Sequence, residues 1–149
     1  MNTRQTRVSL RLLSAIALAL LGLTPASAEQ ENSGTGCSLA SLNGTYGAYR
    51  TGTAPYGPVA AQNLYYFDGE GGWNLVMNIS RNGEISVDEY WEGEYNVNED
   101  CTGTIDGTSA RLVIVDGGKG FYLLSTLEGG FTMYEVGTRI HNGRGKVGR

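Results

Sequence analysis

Two carboxylates, Glu89 and Glu135, are the side chains whose type and spacing could do chemistry. Glu89 alternates with Val87 and Trp91, and Glu135 with Phe131 and Met133. In a regular strand each would therefore share a face with apolar neighbours. A carboxylate carried into an apolar interior must find a partner, or it titrates high enough to act as an acid. Arg111 and Arg139 face inward by the parity of their own strands and are candidate partners. Such a group inside an aromatic-lined barrel would serve a ligand pocket, or a cyclase or isomerase in which a tyrosine orients the substrate. Three placements compete with that reading of Glu89. A β-bulge would flip its parity, return it to solvent and send Tyr90 inward. A position at the barrel mouth, or a structural Glu–Arg pair, would also account for it. The isomerase reading requires that Glu89 or Glu135 line a cavity.

Other reactive chemistry has little to work with. His141 is the only histidine, so a Ser-His-Asp triad or most zinc sites would have to use it. No nucleophile elbow, His-Glu-x-x-His or calcium-loop pattern occurs. Asp116-Gly117-Gly118-Lys119-Gly120 lacks the Gly-Lys-Ser/Thr ending of a phosphate loop and reads as a hairpin turn, and Asp68-Gly69-Glu70-Gly71-Gly72 reads as a solvated acidic turn. The sequence thus implies no metal and no cofactor. Cys37 and Cys101 read as one disulfide, the alternative being reactive thiols or metal ligands. Closing that loop is worth about 4 kcal/mol in the chain-entropy model.

The compartment follows from the first residues. Arg4, Arg7 and Arg11 precede an uncharged apolar run from Leu12 to Leu23, and Ala26-Ser27-Ala28 offers a small-x-small cleavage site. Residues 1–28 thus read as a bacterial-type export signal, too short for a permanent span, which takes roughly 20 apolar residues. Both cysteines would then reach an oxidising, secreted or periplasmic space. Cys37 lies too far past the cleavage point to be a lipoprotein anchor. Removing the three signal arginines from 11 basic residues leaves 8 against 15 acidic ones, a mature balance of −7. That balance opposes binding to nucleic acid or anionic lipid. Residues 29–43 read as a flexible lead-in, and residues 141–149 as a Gly-rich basic tail.

The elements that must position these residues are strands. Between Gly44 and Ile140, apolar and β-branched runs are broken by turn signals every 8–12 residues, with no useful helical period. The proposed strands are Gly44–Thr51, Ala60–Asp68, Trp73–Ser80, Ile85 to about Val97, Cys101–Ile105, Arg111–Val115, Gly120–Thr126 and Phe131–Ile140. Trp73, Leu75, Met77 and Ile79 alternate with Asn74, Val76, Asn78 and Ser80, and Asn82-Gly83 then marks a hairpin. In the next strand Ile85, Val87, Trp91, Tyr95 and Val97 are assigned to one face. An antiparallel meander of about eight strands closes most economically into a barrel over residues 44–140, with a β-sandwich as the alternative. Trp73, Leu75, Met77, Trp91, Phe131 and Met133 are the candidate lining of an interior ligand site. Arg111–Val115 is apolar on both faces and requires an outer cover, for which the lead-in pinned by Cys37 is the candidate. Tyr65-Tyr66-Phe67 and Tyr90-Trp91 should each leave one aromatic side chain outside.

Three segments together resemble a group of small exported bacterial proteins of uncharacterised function. They are Cys37-Ser38-Leu39-Ala40-Ser41-Leu42-Asn43-Gly44-Thr45-Tyr46-Gly47, Gly93-Glu94-Tyr95-Asn96-Val97-Asn98-Glu99-Asp100-Cys101-Thr102-Gly103-Thr104, and Val113-Ile114-Val115-Asp116-Gly117-Gly118-Lys119. The resemblance implies a compact β-barrel of lipocalin-like or allene-oxide-cyclase-like shape and carries over no catalytic residue. The expectation is a non-enzymatic exported barrel that binds a small apolar or amphipathic ligand or serves the cell envelope. A cyclase or isomerase and a surface interaction module are the alternatives. The oligomeric state is left open.

Overall fold

A computed structural model describes residues 36–142; the signal at 1–28, the lead-in up to 35 and the tail from 143 lie outside the described residues. Eight antiparallel strands follow one another around a closed barrel: β1 (Asn43–Ala54), β2 (Gly57–Asp68), β3 (Gly72–Arg81), β4 (Glu84–Val97), β5 (Thr102–Ile105), β6 (Ala110–Val115), β7 (Gly120–Ser125) and β8 (Thr132–His141). Closure comes from β8 pairing with β1, where Glu135 lies opposite Arg50. Every strand has a neighbour on each side, but β5 is short and pairs with β4 only at Tyr95–Val97, so the first part of β4 is laddered to β3 alone.

Side-chain alternation fills the interior as the sequence predicts in most strands. On β3 Trp73, Leu75, Met77 and Ile79 are buried, and on β2 so are Val59, Ala61, Asn63, Tyr65 and Phe67. Phe67 is the hub of the core. Its ring lies 5.1 to 5.6 Å from those of Tyr46, Tyr65, Tyr95 and Phe121, three edge-on and one stacked. Such aromatic pairs add to the stabilisation that burial alone provides. Gly137 makes room for this cluster: a Cβ there would lie 2.3 Å from the Phe121 ring.

Register shifts in two places, between β1 and β8 at Thr45/Tyr46 and, with more consequence for the site, between β3 and β4. Met77 faces Glu89 while Ile79 faces Ser86, so β4 uses three residues where β3 uses two. Asp88 takes up the irregularity at φ 56°, and its backbone N–H donates to Asn78 Oδ1 at 3.0 Å. The bulge lies before Glu89, so it flips Ile85 and Val87, not Glu89. Ile85 is 76% exposed and Val87 is exposed as well, which corrects their assignment to the face of Trp91 and Tyr95.

The two ends of the barrel differ. At one end a 3-10 turn at Leu39–Ser41 and the buried Leu42 form a plug. Cys37 is bonded to Cys101, with Sγ atoms 1.94 Å apart and Cα atoms 4.9 Å apart. Tyr95 Oη donates to the Leu39 and Leu42 carbonyls, both at 2.9 Å, and Tyr46 Oη donates to the Gly118 carbonyl at 2.7 Å. Burial pushes both phenols above their usual range, so they remain neutral donors. The lead-in assigned to residues 29–43 therefore becomes part of the barrel from Cys37 onward. It caps this end and leaves Val113 exposed on the outer face of β6. At the opposite end the β1–β2, β3–β4, β5–β6 and β7–β8 connections surround an opening.

Candidate functional site

That opening leads into a cup of about 300 Å³. Three of the four connections at this end contribute to it, Tyr56 from β1–β2, Gly107 and Thr108 from β5–β6, and Leu127 and Phe131 from β7–β8, and Arg81 joins them from the end of strand β3. Leu75, Met77 and Ile79 form one wall, Met133 and Trp91 contribute others, and Arg50 lies at the base. The wall residues of β3 are buried, whereas Tyr56, Trp91 and Leu127 are exposed at the rim. Of the six residues named as candidate lining, five border this cup: Leu75, Met77, Trp91, Phe131 and Met133. Trp73 does not. It belongs to the plugged half, with its ring 6.0 Å from Tyr65 and its indole N–H donated to the Glu94 carbonyl.

Beneath the cup lies a polar layer built on Glu135, which is 1% exposed. Its Oε2 accepts from Arg50 Nε at 3.0 Å, Arg50 Nη2 at 2.9 Å and Tyr65 Oη at 3.0 Å, while Oε1 accepts from Asn63 Nδ2. A buried carboxylate with this many donors is held as a structural anion. Burial and the adjacent Glu135 charge push the Tyr65 phenol well up, which keeps it a donor. Asn63 Oδ1 is buried without a partner, which costs free energy while the amide N–H orders Glu135. The parity of β8 predicts the inward face of Glu135 correctly, but its partner is Arg50, which the sequence reading did not single out. Arg111 is exposed, which corrects its inward assignment. Arg139 does face inward, at the plugged end, where it donates to Tyr46 Oη and the Ser41 carbonyl.

Glu89 stands at the mouth. Arg81 donates to it bidentately, Nη1 to Oε1 and Nη2 to Oε2, each at 2.7 Å. These bonds hold the Glu89 carboxyl down at about 2. Neither Glu89 nor Glu135 belongs to the wall of the cup.

The acidic turn after β2 is organised by Asp68, whose Oδ1 accepts from the backbone N–H groups of Glu70 and Gly72. Among the described residues, no group of three His, Cys, Asp or Glu side chains is placed to hold a metal ion. No helix there is long and apolar enough to cross a membrane. Outside the barrel, Val113, Tyr122, Val136 and Tyr49 lie in register across β6, β7, β8 and β1, and all four are exposed. This row was not foreseen from adjacent aromatic residues. Of Tyr65-Tyr66-Phe67, the outward Tyr66 is covered to 8% exposure. Comparison of the chain with protein-family models, with curated proteins and with solved structures finds no match in any of the three.

Proposed function

We propose that the protein is an exported carrier or reservoir for one small apolar or amphipathic molecule, held in the open end of the barrel. The observation that carries this reading is the cup itself: about 300 Å³, with side chains of β3 and β8 as apolar walls and a single arginine at its base. Ligand sites for small molecules run from roughly 300 to 1,000 Å³ and combine apolar walls with a few convergent polar groups. The cup sits at the lower edge of that range, so its ligand is small. The signal-like first 28 residues and the Cys37–Cys101 disulfide support a secreted or periplasmic setting.

An isomerase would need a carboxylate facing the ligand. With Glu89 engaged by Arg81 and Glu135 sealed beneath Arg50, binding is the reading the geometry favours. A surface interaction module has one observation in its favour, the exposed row Val113–Tyr122–Val136–Tyr49. Native mass spectrometry of the protein purified from its own cell envelope tests the carrier reading. A retained small-molecule adduct, lost on denaturation, is expected. A bare mass, together with no thermal stabilisation by an envelope lipid extract, would overturn it.

A further inference from the structure

We propose that the cup selects an uncharged amphiphile whose polar end is a hydrogen-bond acceptor, such as a ketone, ester or amide carbonyl, set against Arg50. This inference rests on the carrier reading above and adds the chemistry of the head group.

Five side chains with polar atoms border the cup: Arg50, Tyr56, Arg81, Thr108 and Trp91, whose indole reaches Glu89. Both arginines are already neutralised. Glu135 lies 2.9 Å from Arg50 Nη2, and Glu89 lies 2.7 Å from Arg81. The wall together with its ion-pair partners therefore carries no net charge. It offers no unpaired cation to an anionic head and no carboxylate to an amine.

Hydrogen-bonding capacity points the same way. Arg50 engages Glu135 and Tyr65 through Nε and Nη2, whereas its Nη1 makes no hydrogen bond among the described residues. The Thr108 hydroxyl donates to the Ile105 carbonyl at 3.3 Å. What the base of the cup lacks is an acceptor for Arg50 Nη1. A carboxylate placed there would make one guanidinium serve two anions, with Glu135 already behind it, and the second charge would be desolvated without a counter-charge. A carbonyl oxygen accepts the same N–H bond at far lower desolvation cost. The mature balance of −7 also works against concentrating an anion near the mouth.

The experiment uses the full mature chain with the neutral fluorophore N-phenyl-1-naphthylamine as reporter. A medium-chain methyl ketone, its methyl-ester counterpart, the carboxylate and the alkane of the same length are the competitors. The ketone and ester should displace the dye at about tenfold lower concentration than the alkane or carboxylate, the worth of one net hydrogen bond. In Arg50→Lys, which keeps a cation for Glu135 but removes the Nη1 donor, the ketone-to-alkane ratio should fall towards one. The ratio is read within each protein, so a change in overall affinity does not blur it. If Arg50→Lys fails to fold, the double variant Arg50→Met with Glu135→Leu removes the charge pair together and should lose the same ratio. Preferential displacement by the carboxylate, or equal displacement by all four, overturns the head-group inference while leaving the carrier reading standing. Failure of the dye and every competitor to bind sinks the carrier reading itself.

Discussion

The plugged and open ends of this barrel are made from the same strands and differ in how their polar groups are satisfied. At the plugged end, Tyr95 and Arg139 tie the cap to the barrel through its backbone carbonyls, Tyr46 holds the Gly118 carbonyl of the β6–β7 connection, and a disulfide secures the cap. At the open end, the charged side chains pair with each other, Arg50 with Glu135 at the base and Arg81 with Glu89 at the mouth, which leaves an apolar space between the pairs. Polar groups that face the backbone close a barrel; polar groups that face one another can hold it open. The layer of Arg50, Glu135, Tyr65 and Asn63 divides the two regimes.

The sharpest way to break that comparison is to remove one phenylalanine from each end. Phe67→Ala removes a fully buried ring that meets four others. It should cost about 3–5 kcal/mol in urea denaturation. Phe131→Ala borders a space that already exists and is only partly buried. Its cost should be about 1 kcal/mol, within the ordinary range for single substitutions. Equal losses would mean that the open end is packed as tightly as the plugged one.

Replacing both cysteines by serine sharpens the same contrast in a different observable. The loop spans 64 residues of sequence separation. Its closure entropy predicts a loss of about 4 kcal/mol at most, less if the unfolded chain keeps structure. Hydrogen exchange locates the damage. The Ile114 amide, bonded to the Cys101 carbonyl at 2.8 Å, and the Cys37 amide, bonded to the Glu99 carbonyl, should lose protection first. Rim amides losing protection equally early would show that the disulfide stabilises the barrel as a whole and not its capped end.

A third variant fills the cup. Met133→Trp adds volume at a wall residue that faces open space, so stability should change by about 1 kcal/mol or less, where overpacking a dense core costs about 1–3 kcal/mol. Dye binding should be lost in parallel. A large destabilisation would show that the side chains around Met133 leave no usable room.

Much of this arrangement was legible in the sequence because alternation is a local signal. On β3, and on β8 from Met133 to Arg139, the period-2 pattern runs unbroken, and it puts Leu75, Met77, Met133 and Glu135 on the inner face correctly. On β4 it failed at Ile85 and Val87, because the bulge depends on Asp88 adopting a left-handed backbone that composition does not announce. Arg50 was missed for another reason. Its strand reads Tyr46, Ala48, Arg50, Gly52, Ala54 on the inner face, with too few large apolar residues to reveal which face is which. Counting in twos from Tyr46 would have found it. Tyr56, Thr108 and Leu127 lie in connections where no period exists, so their convergence on one rim is a tertiary fact.

The smallest expected effect separates the two ion pairs by their contact with water. Arg81 and Glu89 keep 31% and 25% of their side-chain surface exposed, against 16% and 1% for Arg50 and Glu135. Because Arg81 lowers the Glu89 carboxyl to about 2 in the folded protein, their pairing stabilises fully above the ordinary carboxylate range. That contribution declines as the pH falls from about 4.5 and is lost once it passes below about 2. Solvent and salt screen the rim pair, so its worth is about 1 kcal/mol or less. Glu89→Gln should therefore reduce stability slightly at neutral pH and flatten the acid limb of the stability curve between those limits. The difference between variant and parent should shrink at high salt. A salt-independent difference of several kcal/mol would mean that Glu89 is shielded from water and belongs with Glu135, and the rim would then have to be counted as part of the sealed interior.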